Sequence, residues 1–155
     1  MRRIRYFEDF SVGETIELGS HQFTTESIVA FGTAFDPQVY HVDPVQARTS
    51  VWSGLIASGW QTACIYMRLL VDNLMSKTDS LGSPGLDYLK WLKPVRPGDT
   101  LRARITFLEC TPSRSKPDRG IVRSRGEMIN QHGELVLQLE AVNFYGRRPG
   151  PRPPD

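Results

Sequence analysis

Residues 58 to 75, "SGWQTACIYMRLLVDNLM", constrain this chain more than any other stretch. Trp60, Ala63, Cys64, Met67, Leu70, Val71 and Leu74 recur at the three-and-four spacing of a helix. Arg68 and Asp72 are its only charged residues. A helix about 25 Å long and apolar nearly all round is predicted to be wrapped by other structure rather than laid on a surface. The rest of the chain therefore has to supply the wrapping.

The second half does so with strands. Leu101, Ala103, Ile105 and Phe107 alternate with Arg102, Arg104 and Thr106, which is the mark of a half-buried strand. Residues 119 to 130 and 134 to 145 predict two more, joined by a turn at "QHGE". An extended segment, "LDYLKWLKPV", runs into "RPGD", where Pro97 and Gly98 suit a turn. Earlier, residues 14 to 23 read as a strand and residues 24 to 35 as a helix. Thr24 is placed to cap that helix and Glu26 to favour its dipole. Asp43 before Pro44 opens a further short helix, through about Thr49. The order predicts an α+β arrangement with the helices gathered on one side of an antiparallel sheet. Residues 1–146 form a single domain on this reading, followed by a disordered Pro- and Arg-rich tail at 147–155.

Composition narrows the function classes. The chain has 155 residues, 39% of them hydrophobic, enough for a real core. Of its 19 Lys and Arg and 17 Asp and Glu, the last nine residues hold three and one, which leaves the body neutral. A neutral body argues against nucleic acid as a partner, since that needs basic residues concentrated on a face. Cys64 and Cys110 form no CxxC pattern, which fits neither a zinc ribbon nor a disulfide framework and suits a reducing interior. No apolar run approaches the roughly 18 residues of a membrane span, and the N-terminus has no signal-peptide core. A cytoplasmic protein is expected.

The candidate chemistry lies at "AFDPQVYHVDPVQA", residues 34 to 47. On a helix, Asp36 and His41 stand roughly 140° apart around the axis. On a strand they face opposite sides, about 17 Å apart. Both touch one small molecule only if the chain folds back, and Pro37 biases it that way by holding Asp36 out of helical geometry. Taken by residue type alone, Asp36 also reads as a turn residue and His41 as a satisfied loop histidine. His41 with Asp43 resembles a fragment of a metal site, but His21 and His132 lie in separate segments. Ser58 reads as the cap of the long helix rather than a nucleophile, because Ile56 stands where a nucleophile elbow needs Gly. Gly59 follows at the entrance of the helix. The first amides there lack internal partners, and a bare glycine leaves them open to a carbonyl oxygen.

Four stretches in this order, "YFEDFSVGETIELG", "FDPQVYHVDPVQA", "GLIASGWQTA" and "KPVRPGDTL", resemble the signature segments of the MaoC-like dehydratase family. That family includes the (R)-specific enoyl-CoA hydratases of the hot-dog fold. The likeness runs from about residue 6 to 145. It implies a central helix wrapped by an antiparallel sheet, a homodimer with pockets near the interface, and water addition to a 2-enoyl thioester or the reverse elimination. The family's Asp and His, in a D-x-N-P-x-H loop, fall on Asp36 and His41. Its backbone oxyanion donor falls on Gly59, after the family's common histidine, here Ser58. Gln38 replaces the loop's Asn, Val39 its Pro, and Met67 stands where some family hydratases carry a serine.

The resemblance implies an acyl-CoA or acyl-carrier thioester as substrate, with no metal or redox cofactor and no membrane partner. Two other readings stay open on the sequence. A hot-dog acyl-CoA thioesterase also polarises a thioester carbonyl, but Asp72, the only carboxylate on the long helix, lies near its far end. A non-catalytic acyl-thioester-binding protein would use the Asp–His loop only structurally.

Overall fold

The computed structural model of the protein describes residues 4–150. Its sheet follows from strands that bury one side chain in two. In β3 (Thr100–Pro112), Leu101, Ala103, Ile105 and Phe107 point inward and are almost wholly buried. β4 (Arg119–Ile129) and β5 (Leu135–Gly146) repeat the alternation around Val122, Met128, Val136 and Leu137. β1 (Thr15–Gln22) and β2 (Gly85–Trp91) form the two edges. The five antiparallel strands stand in the order β1-β3-β4-β5-β2. Opposite faces of a pleated strand must differ when only one is covered, and the outer face here carries cross-strand ion pairs such as Arg104–Glu127 and Arg125–Glu140.

Among the described residues, the three α-helices lie in the connection between the two edge strands: α1 (Thr25–Phe35), one-turn α2 (Val39–Val42) and α3 (Gly59–Asn73). Most predicted elements are present within a residue or two; the extended segment expected over residues 86–95 ends as a strand at Trp91, and the short helix after Pro44 is a 3-10 turn, Gln46–Thr49.

The long helix corrects one expectation. The chain wraps α3 on one side only. Its buried residues are Gln61, Thr62, Tyr66 and Leu70, whereas Trp60, Cys64, Met67 and Val71 are exposed. Two polar residues go inward because that end of α3 meets other structure. Gln61 donates to the Ser27 carbonyl of α1 at 3.2 Å, and Thr62 lines a cavity. The apolar residues left outside form a continuous stripe at helical spacing.

At the far end of β5, Arg147 and Arg148 head the stretch expected to be a tail, and the structure ties both down. Arg147 pairs with Glu8 at 3.0 Å and Arg148 with Asp9 at 2.7 Å. Residues 151–155 of that expected tail, like the basic start at residues 1–3, lie outside the described residues. No helix among the described residues is long and apolar enough to cross a membrane.

Candidate active site

The site begins where α1 stops. Thr24 caps the helix at its start, accepting from the Ser27 amide at 3.1 Å. At its end the Asp36 amide still bonds the Gly32 carbonyl at 2.8 Å, but Asp36 itself leaves helical geometry (φ −150°, ψ 70°). Pro37 has no amide hydrogen to continue the ladder. The chain turns, and α2 packs back on α1 at Gly32. A Cβ at Gly32 would lie 2.8 Å from the His41 carbonyl oxygen and 3.0 Å from its Cβ. Glycine at 32 is what lets the two helices approach this closely.

This reversal brings the expected pair together. His41 Nε2 lies 3.3 Å from Asp36 Oδ2, with the imidazole 6% and the carboxylate 19% exposed. The Nδ1 of His41 is 2.7 Å from the carbonyl oxygen of Ile56. A carbonyl only accepts, so the neutral ring carries its proton on Nδ1 and turns the Nε2 lone pair toward Asp36.

Asp36 is held at both oxygens. Gln38 Nε2 donates to Oδ1 at 2.8 Å, and the Ser58 hydroxyl donates to Oδ2 at 2.7 Å. The Tyr40 hydroxyl donates to Gln38 Oε1, which leaves the amide nitrogen facing the carboxylate. Burial resists ionisation of Asp36. The hydrogen bonds from Gln38 and Ser58, with His41 nearby, outweigh it and hold the carboxyl below the ordinary aspartate value of 3.8.

Ser58 is therefore both cap and site residue. Almost wholly buried, it accepts from the Trp60 amide at 3.3 Å while donating to Asp36. Gly59 opens α3, and among the described residues its N–H has no hydrogen-bond partner. Asp36, His41, Ser58 and Gly59 line one cavity of about 380 Å³, with Trp52 and Trp91 among its other walls.

Sequence reasoning missed four contributors. Gly32 was marked only by being a glycine inside a helical pattern. Gln38 and Tyr40 left no periodic signal, because their value lies in side-chain direction. Trp91, 32 positions further along the chain, donates from Nε1 to the Gly59 carbonyl at 2.8 Å. Its indole also occupies the space beside Gly59 Cα that the sequence reading left open for substrate.

Other candidates have different work. Asp43 accepts from the amides of Val45 and Gln46 at 2.9 and 3.0 Å, which caps the 3-10 turn. No three His, Cys, Asp or Glu side chains gather as metal ligands among the described residues. Met67 is half exposed and does not line the cavity.

A five-stranded antiparallel sheet laid against one long helix is the hot-dog architecture. The chain belongs to the MaoC-like domain family, whose model matches residues 9–125. The crystal structure of a MaoC-like dehydratase from Rhodospirillum rubrum is 42% identical, with a TM-score of 0.85 over 93% of this chain and 98% of that one. YdeM of Bacillus subtilis, an uncharacterized protein, is 29% identical over 86% of this chain and 93% of its own. An (R)-specific enoyl-CoA hydratase from Rhodospirillum rubrum is 29% identical over 72% and 75%. Longer relatives are matched over 30% and 38% of their own length. A double-hotdog protein from Mycobacterium tuberculosis, 16% identical with a TM-score of 0.80, shares the fold.

Proposed function

We propose that this protein adds water to a 2-enoyl thioester of coenzyme A, or removes it from the 3-hydroxyacyl thioester, using Asp36 and His41 as an acid–base pair and Gly59 as carbonyl donor. One observation carries the reading: a carboxylate and an imidazole 3.3 Å apart, beside a helix-start amide with no partner among the described residues, in one cavity. The likeness to an (R)-specific enoyl-CoA hydratase supports the substrate class.

The reaction then follows from the protonation states. A water seated against His41 Nε2 and Asp36 Oδ2 donates a hydrogen bond to each. As its oxygen attacks the β-carbon, one proton passes to Nε2, and the electrons of the double bond move to the thioester oxygen. The Gly59 N–H stabilises that enolate. The imidazolium, facing an ionised Asp36, gives its proton to the α-carbon on the same face and returns to neutral. One water is consumed and no proton is left over. Acid–base transfer of this kind contributes about 10²–10⁴ in rate, and a single oxyanion donor about 10²–10³. Each step uses groups of this chain alone.

The half-exposed stripe on α3 and the open edge of β2 support a second copy of the chain as partner, and two free cysteines suit a reducing, cytoplasmic setting. Asp72, the carboxylate a thioesterase reading would need, is paired with Arg68 at 2.7 Å near the other end of α3.

The test is to mix wild-type protein with a graded series of 2-enoyl-CoAs and follow both the enoyl absorbance and free thiol. The expected result is loss of absorbance with no thiol. Thiol release without loss of the enoyl chromophore would make the protein a thioesterase. Binding without either change would make it a binding protein.

A further inference from the structure

Trp91 is the last residue of the edge strand β2 and lies outside the four stretches quoted above for their likeness to the family. It is nevertheless fastened to the start of α3 in two ways. Its Nε1–H donates to the Gly59 carbonyl at 2.8 Å. Its ring also fills the place of a Gly59 side chain: an added Cβ would lie 2.5 to 2.7 Å from Cε2, Nε1 and Cδ2. Contacts that short oblige something to move, and although the indole is 45% exposed, displacing it breaks its hydrogen bond to the Gly59 carbonyl and its edge-to-face contact with Trp60. Gly59 has no positive φ to explain its being glycine. The approach of the indole explains it.

We infer that Trp91 is a positioning residue for the Gly59 amide, fixing from β2 the direction in which that N–H points into the cavity. The inference rests on the reading of Gly59 as carbonyl donor given above. The physical argument is that an oxyanion donor works by being preorganised, since an amide that must rotate during the reaction loses part of its advantage. A glycine at the first position of a helix is the residue least able to hold its own backbone. The Ser58 carbonyl, in the same peptide as the Gly59 N–H, accepts from the Thr62 amide at 3.2 Å, and Trp91 holds the other side of Gly59 by contact at Cα and by a hydrogen bond at the carbonyl.

The same tryptophan is connected to the acid–base pair. The peptide that accepts from Trp91 at the Gly59 oxygen donates at the Trp60 nitrogen to the Ser58 hydroxyl at 3.3 Å. Ser58 in turn donates to Asp36 at 2.7 Å. Every donor in this chain points the same way, toward the carboxylate, and bonds so aligned polarise one another. Trp60 packs edge-to-face on Trp91, ring centroids 5.2 Å apart, and gives the indole a further contact.

The experiment compares Trp91→Phe, Gly59→Ala and the double variant Gly59→Ala/Trp91→Ala with wild type and Asp36→Asn. Trp91→Phe keeps a ring but removes the donor. Its kcat is expected to fall on the order of three- to tenfold while KM stays within about twofold. A merely structural tryptophan would lower the thermal midpoint without that split. Gly59→Ala is expected to lower the unfolding midpoint, and the double variant to regain most of it without regaining kcat. Wild-type kcat and KM in Trp91→Phe, or wild-type stability in Gly59→Ala, would overturn the inference. If wild type is active and Asp36→Asn inactive, such a result removes only the role of Trp91. If wild type hydrates no thioester, the reading of Gly59 fails first and takes this one with it.

Discussion

Asp36 concentrates the electrostatics of the site. Its carboxyl is held below the ordinary value because Gln38, Ser58 and His41 together outweigh the burial that would raise it. The sign of the pH dependence follows. A depressed native value means that Asp36 contributes stability above pH 3.8, and that this is lost as pH falls through the lower native value. Denaturant unfolding of wild type and Asp36→Asn should show a gap that is constant at neutral pH and closes only in strong acid. A gap already closing well above pH 4 would contradict the assignment. Ser58→Ala removes a cap and one of the bonds to the carboxylate. It should cost about 1 kcal/mol in unfolding free energy and move the acid limb of activity upward in pH. The sequence identified Ser58 as a cap and the family likeness placed it beside Gly59. Neither revealed that one hydroxyl does both, because direction is decided by tertiary contact.

At the scale of elements, the decisive event is the reversal between α1 and α2. The five-residue spacing of Asp36 and His41 already demanded a fold-back, and Pro37 marked where it starts. The partner in that reversal, Gly32, was not legible, because nothing in a linear pattern says which face of α1 another backbone will touch. Gly32→Ala forces a methyl to within 2.8 Å of the His41 carbonyl oxygen. It should destabilise by about 1–3 kcal/mol and lower activity more than stability alone explains, as seen in urea unfolding alongside turnover. Wild-type behaviour in both would mean that α2 is not held where the structure has it. The strands were legible from alternation. The helix α3 was legible in extent but not in orientation, since Gln61 and Thr62 turn inward while Trp60 and Met67 face out.

For the whole molecule, that outward stripe matters most. Trp60, Met67 and Val71 are 58%, 52% and 40% exposed, an unusual cost for a helix so apolar, and the β2 edge leaves Leu86 half exposed. A second copy covering this face is the expectation. Met67→Glu or Val71→Glu should then shift the mass seen by light scattering from two chains to one, with activity falling in parallel; an unchanged mass would place the interface elsewhere. The family likeness implied a homodimer, but periodicity left its face hidden, because a stripe that packs on the chain itself and one that packs on a partner look the same in a periodicity. The account as a whole rests on the pair at the entrance of α3. Its most direct test is the rate of 2-enoyl-CoA hydration by wild type, Asp36→Asn and His41→Ala at matched folded concentration. Loss of at least about a hundredfold in each variant, with circular dichroism unchanged, is the predicted result. Turnover near wild type in either would contradict it.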